Sequence, residues 1–258
     1  MALAEALAVA GALAFHALAG MAMLAPWPMA RRAGQAVFAA GFAAAAGAWG
    51  LRLAGGHLPL QSLYDVFLTL AAMMWPLSML CRRLAGPTPR WLDPLGAAIL
   101  LAPVMFVFSP DPSPRPPALD SWLFVPHVGA YVLAYVLLLK ASVQGAAVLA
   151  WPSAAGARER AAYRLTAMGF PLMTVGLVLG AWWGRLAWGG WWNWDPKELW
   201  SLASWLAFVL YLHVRPRGGL WRRRVGPALL VAGGVLVVVT LLWANLSARF
   251  GGLHTYAS

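Results

Sequence analysis

Between residues 3 and 246 the sequence alternates long apolar runs with short clusters of arginine, and that alternation leaves few folds open to it. Runs of about twenty apolar residues match the roughly 30 Å of hydrocarbon in a bilayer at 1.5 Å per helical residue. Inside lipid every backbone N–H and C=O must find a partner within the segment, so such runs are helices. A soluble globule is excluded, because 62% of the residues are hydrophobic and only 10% are charged, too little polar surface to clothe a core. The chain reads as an all-α polytopic membrane protein, one integral membrane domain over residues 1–258.

The expected spans are 3–25, 34–54, 63–80, 91–108, 122–143, 165–183, 196–213 and 225–246, about eight transmembrane helices. Arg31 and Arg32, then Arg82, Arg83 and Arg90, then Arg158, Arg160 and Arg164, then Arg215, Arg217 and Arg222 to Arg224 fall in the loops of one side. With Lys140 snorkelling from the end of its span, fourteen of the nineteen Lys and Arg lie there. The positive-inside rule makes that side cytoplasmic. Both termini are then on the external, periplasmic face of a multi-pass protein of the cell inner (plasma) membrane. The net charge of +11 is loop charge of this kind, and no nucleic-acid partner is expected. No charged n-region or cleavage site precedes the first run, which reads as a retained span. Asp65, at the outer end of the third span, is expected to reach water. The proline-rich stretch 109–120 reads as an extended external loop.

The single cysteine, Cys81, rules out an intrachain disulfide, a CxxC redox pair and a CxxCH site for covalent haem on this chain.

One stretch does not behave like a span. Residues 181–200, AWWGRLAWGGWWNWDPKELW, hold seven tryptophans beside Asp195, Lys197 and Glu198. Buried helices avoid such charges and soluble loops avoid such indoles. An interfacial belt spreads tryptophans over many helices, whereas these crowd one loop. A large, flat, apolar ligand with a charged edge suits them. Asp195, Pro196 and Glu198 also have the pattern of N-cap, N1 and N3, so a helix is expected from about residue 196. That local role stands beside any catalytic role for the two carboxylates.

The topology sorts the five histidines. His127, His254 and His57 are external or nearly so, His16 is mid-span, and His213 is near the inner end of its span. His127 and His254 share a face with the tryptophan segment. Two imidazoles on opposite sides of a planar macrocycle make six-coordinate iron, with indoles as the apolar platform, and haem fits that constellation. Each histidine also has a plain alternative as a hydrogen-bonding anchor at the interface.

The run Trp188-Gly189-Gly190-Trp191-Trp192-Asn193-Trp194-Asp195-Pro196-Lys197-Glu198 resembles the WWD signature of haem-handling membrane proteins, and its Asp-Pro-Lys-Glu continuation resembles the CcsA (ResC) branch. GHLPLQSLYD (Gly56 to Asp65) and the terminal GLHTYAS are similar to two further motifs of that family. The resemblance implies a cytochrome c haem lyase (synthase) subunit. It would bind haem b non-covalently, as substrate in transit, and attach it to the CxxCH segment of apocytochrome c together with a CcsB/ResB-like membrane partner. It further implies that 181–200 is an external haem-binding segment in which Trp188, Gly189, Trp191, Trp192, Asn193, Trp194 and Asp195 form and fix the platform; Arg185 and Lys197 are candidates for the propionates, and simple solvation on the first helical turn is the equal alternative for Lys197. His127 and His254 correspond to the external iron ligands. His213 corresponds to an inner haem ligand whose partner histidine comes from CcsB, a portion this sequence lacks; His16 is the alternative partner. No catalytic residue is implied beyond those that position haem. The rival functions are a CcmC-like haem chaperone that makes no bond, a b-type cytochrome electron carrier, and a transporter with a tryptophan-lined site.

Overall fold

The computed structural model describes residues 2–57, 60–86, 88–111 and 120–243. Among them are eight α-helices and no strand: α1 (Ala2–Leu24), α2 (Pro28–Ala54), α3 (Leu63–Leu84), α4 (Leu92–Phe106), α5 (Phe124–Ala150), α6 (Ala155–Trp188), α7 (Pro196–Val214) and α8 (Gly226–Val238). Helix α8 is prolonged at both ends by π-helical turns, Trp221–Val225 and Val239–Trp243. Six stretches are long and apolar enough to cross a membrane: α1, α2, α3, α5, α6 and Trp221–Leu242 around α8. Helix α4 has 15 residues, and α7, with 19, opens on Lys197 and Glu198. The fold is therefore an all-helical, multi-pass membrane type, built as two compact units that hold α1 to α4 and α5 to α8.

In the first unit a turn of only three residues, 25–27, returns the chain, and Pro28 at N1 starts α2 without losing a hydrogen bond. Helix α1 buries Val9, Ala12, His16, Ala19 and Met23, and α2 buries Gly34, Phe38, Gly41, Ala45, Ala48 and Arg52. Both stripes advance by threes and fours, so each stays on one helix face. Their small residues admit close backbones, which is how helices associate where lipid removes the hydrophobic drive. A Cβ on Gly34 would lie 2.8 Å from Met23, and one on Gly41 would lie 2.5 Å from the His16 ring. These contacts set the antiparallel register, and the same register carries Arg52 to Glu5.

That pairing corrects one expectation. Asp65 does not reach water: it is 2% exposed and accepts the Arg52 Nε–H at 2.5 Å. Nη1 of the same guanidinium donates to Glu5 Oε1 at 2.8 Å and to the Pro110 carbonyl at 3.0 Å. The guanidinium carbon lies 4.5 Å over the Tyr64 ring, whose hydroxyl donates to Glu5 at 2.9 Å. A lone buried carboxylate costs several kcal/mol, about what a well-placed guanidinium with satisfied hydrogen bonds returns. Ser62 and Asp65 also form the capping box of α3. The Asp65 amide donates to Ser62 Oγ at 3.2 Å, and the Asp65 carboxylate accepts the Ser62 amide at 3.0 Å.

In the second unit α6 lies antiparallel along α5 with Gly169, Gly176 and Gly180 facing it. A Cβ at these positions would come within 2.9, 2.9 and 2.5 Å of Leu138, Tyr131 and His127. Helix α8 packs in the same way, with Gly234 against Ser142 and Gly233 against Phe208.

Two further expectations are corrected here. Arg158, Arg160 and Arg164 are not in a loop but on the first turns of α6, a helix of 34 residues and about 50 Å long. That length exceeds the roughly 30 Å of hydrocarbon in a bilayer. Arg158 donates to the Ala147 carbonyl at 3.2 Å, Glu159 accepts Arg215 and Arg222 at 2.7 Å each, and Arg31, likewise on helix α2, donates to the Ala25 carbonyl at 2.9 Å. Lys140 does not snorkel from a helix end, because α5 continues to Ala150 and the side chain is buried. Residues 112–119 of the proline-rich stretch, Leu58 and Pro59, and the tail 244–258 with His254 lie outside the described residues.

Candidate functional site

The tryptophan segment is assembled from the end of α6, a linker at 189–195 and the start of α7. The expectation that its indoles crowd one loop is corrected: Trp182, Trp183 and Trp188 belong to the last two turns of α6, Trp200 is on α7, and Trp191, Trp192 and Trp194 are in the linker. Helix α6 runs that far because nothing stops it before Gly189, whose φ of 81° supplies the left-handed residue that ends helices. The Arg185 guanidinium donates to the Gly189 carbonyl and closes the helix end. Gly190 leaves room for Asn193, whose Oδ1 would be 2.5 Å from a Cβ there.

Helix α7 starts as its sequence indicates. Asp195 Oδ1 accepts the Lys197 amide at 2.9 Å, Glu198 Oε2 accepts the Asp195 amide at 3.2 Å, and Pro196 fills N1. Glu198 Oε2 also accepts the Asn193 amide at 2.8 Å. One carboxylate oxygen thus holds the amides on both sides of Trp194, which has φ 57° and is the sole non-glycine residue with positive φ among those described. Removing the cap in Asp195→Ala is expected to lower stability by about 1 kcal/mol. A thermal unfolding curve in detergent checks this, and an unshifted midpoint refutes it.

His127 sits on the first turn of α5, with its amide on the Leu123 carbonyl at 3.0 Å. Its Nδ1 lies 2.8 Å from the Gly176 carbonyl on α6. A carbonyl oxygen can only accept, so Nδ1 carries the proton and Nε2 the lone pair. The ring centroid is 5.5 Å from Trp183 and 5.2 Å from Tyr131, and Trp183 is 5.2 Å from Trp188. Trp183 is 2% exposed, whereas Trp191 and Trp194 are 59% and 67% exposed. The geometry therefore brings His127 and the tryptophan segment into one unit, with an inner indole packed on the imidazole and outer indoles that are exposed.

Among the other described histidines, His213 alone belongs to this unit. His213 is exposed, bonds the Val209 carbonyl through Nδ1 at 2.8 Å, and stands at the far end of α7, about 25 Å along the helix from Asp195. In the first unit His16 is fully buried against Gly41 and Phe38, and half-buried His57 follows α2. No group of three or more His, Cys, Asp or Glu that could hold a metal occurs among the described residues. Sequence reasoning missed the Glu5–Arg52–Asp65 network and the grip of Glu198 on Trp194. The Ser62-x-x-Asp65 pattern was a signal for the first, being a capping box that fixes where that carboxylate points.

A family model described as cytochrome C assembly protein matches residues 37–250. The cytochrome c biogenesis protein CcsA of Chlamydomonas reinhardtii is 34% identical over 221 residues, covering 78% of this chain and 61% of that protein. The CcsA of Gloeothece citriformis is 47% identical over 105 residues, covering 40% of this chain and 31% of that protein. Each match thus spans less than two thirds of the relative. Among solved structures, a cytochrome c heme lyase CcmF aligns over 94% of this chain and 49% of its own with a TM-score of 0.67 and 22% identity, a likeness of fold.

Proposed function

This chain belongs to the cytochrome C assembly protein family, and from that premise we propose that it receives haem b at the external face of the cell inner membrane and positions it for attachment to the CxxCH segment of apocytochrome c. Its relatives named CcsA and its membrane helices support a CcsA-type role in cytochrome c maturation. The observation that carries the haem reading is the His127 hydrogen bond to the Gly176 carbonyl at 2.8 Å, which fixes the tautomer that leaves Nε2 able to bind iron.

In this reading eight spans place both termini outside, and His127 and His254 take the iron from its two sides. Trp188, Trp191, Trp192 and Trp194 lie along the macrocycle, held by Gly189, Asn193 and Asp195. Arg185 has five N–H groups and uses one on Gly189, which leaves donors for a propionate; Lys197 serves the other. Each cysteine thiol of the apocytochrome adds across a haem vinyl group. A carbon–sulfur bond forms and the thiol hydrogen goes to the neighbouring vinyl carbon, with no net oxidation. The chain's contribution is to orient the vinyl edge and exclude water, the kind of work positioning does best. His213 would ligate a second, inner haem with a histidine from a CcsB/ResB-like partner.

The test is the visible spectrum of the purified chain, expected to show low-spin haem b that is lost or turned high-spin in His127→Ala. An unchanged spectrum in that variant rejects the ligand. Coexpression with an apocytochrome and the partner should give covalent haem dependent on this chain. Bound haem without that product would favour a CcmC-like chaperone.

A further inference from the structure

The linker contains a conformational anomaly that helix capping alone does not require. Trp194 occupies the left-handed region at φ 57°, where an L side chain costs roughly 1–2 kcal/mol and glycine almost nothing. The same linker meets its other left-handed position with Gly189, at φ 81°. A residue kept in a strained conformation with its indole 67% exposed has not been placed there for the core. What holds it is Glu198, whose Oε2 accepts the backbone N–H of Asn193 at 2.8 Å and of Asp195 at 3.2 Å, the residues before and after it. The Trp192 ring stands perpendicular to this indole, with centroids 6.0 Å apart at 87°.

We propose that Glu198 is a positioning residue: by clamping the amides on both sides of Trp194 it presents that indole, already oriented, as the outer contact for the flat ligand. The inference rests on the haem-platform reading above and adds to it a residue that never touches the ligand. A carboxylate is suited to this work because it only accepts, so both N–H groups can converge on one oxygen. Glutamine retains an accepting oxygen, whereas alanine leaves two unpartnered amides and a strained tryptophan free to relax.

Two measurements on the full chain in detergent test the clamp. The first needs no haem. With 5-fluorotryptophan incorporated, the Trp194 resonance is assigned by its loss in Trp194→Phe. It should shift or broaden in Glu198→Ala and stay in place in Glu198→Gln, and an unmoved signal in Glu198→Ala overturns the proposal whatever haem does. The second is a double-mutant cycle on haem affinity. Glu198→Ala should weaken haem binding about tenfold, from the ordering of one linker residue lost, while Glu198→Gln keeps most of it. Trp194→Gly should weaken haem without lowering the melting point, since glycine is unstrained there. In the Trp194→Gly background Glu198→Ala should cause no further loss of haem affinity, although it still lowers the melting point by removing half the capping box. Additive losses of affinity refute the clamp. Absence of haem from the unaltered chain would instead remove the platform reading and leave the fluorine result to decide the clamp.

Discussion

Arg52→Leu should destabilise the α1 to α4 unit by about 3–5 kcal/mol, the largest effect of any single replacement outside the tryptophan segment. The guanidinium is 3% exposed and pairs with both Asp65, 2% exposed, and Glu5, 13% exposed, while donating to the Pro110 carbonyl. Leucine fills much of the volume but leaves two buried carboxylates side by side without a counter-ion, and the total stability of a domain is only about 5–15 kcal/mol. Removing the charges together should undo most of the damage. Arg52→Leu combined with Glu5→Gln and Asp65→Asn is expected to melt far closer to the unaltered chain than Arg52→Leu does. Thermal unfolding in detergent reads both. If Arg52→Leu melts normally, or if the triple replacement melts no higher than the single one, the network is not what secures these helices. Arg52→Lys should fall between, because an ammonium cannot serve Nε and Nη1 partners in the planar fork that arginine offers.

That network also marks where sequence reasoning stops. Hydropathy and arginine clusters gave the helices, because a bilayer leaves the backbone no other option, and Asp195, Pro196 and Glu198 gave the start of α7, because capping is local chemistry. Which face of each helix packs was not legible from hydropathy, since these helices are apolar all round. The information was in small residues: Gly34 with Gly41 on α2 and Gly169 with Gly176 on α6 recur every seven residues and face a neighbouring helix in each case. Asp65 was misjudged because its counter-ion comes from another helix, thirteen residues earlier, and nothing local announces it. The extent of α6 was misjudged because hydropathy ends a span at the hydrocarbon edge, whereas a helix ends at its stop signal, here Gly189. The candidate site was legible as residue types, Trp188 to Lys197 with His127, but not as mechanics. A carboxylate that acts on Trp194 through backbone amides has no signature beyond the cap it also forms.

Helix packing and ligand geometry meet at Gly180, where the second large effect is expected. Alanine in a helix interior usually gains about 1 kcal/mol over glycine. At this position the new Cβ would lie 2.5 Å from Cε1 and 2.9 Å from Nδ1 of His127. The ring is not a flexible tip that can swing aside at no cost, because Nδ1 is held by the Gly176 carbonyl at 2.8 Å. Moving it forfeits about 1 kcal/mol of hydrogen bond and adds roughly 1–3 kcal/mol of overpacking, so the clash outweighs the propensity. Gly180→Ala should therefore lower the melting point and also displace the imidazole, costing the low-spin haem spectrum nearly as much as His127→Ala does. The pair should be non-additive in a definite direction. With His127→Ala already in place the clash is gone, and Gly180→Ala should raise the melting point instead of lowering it. A Gly180→Ala chain that binds haem normally would mean that His127 keeps its ligating geometry without the Gly176 carbonyl, and the tautomer argument for the site would fail with it.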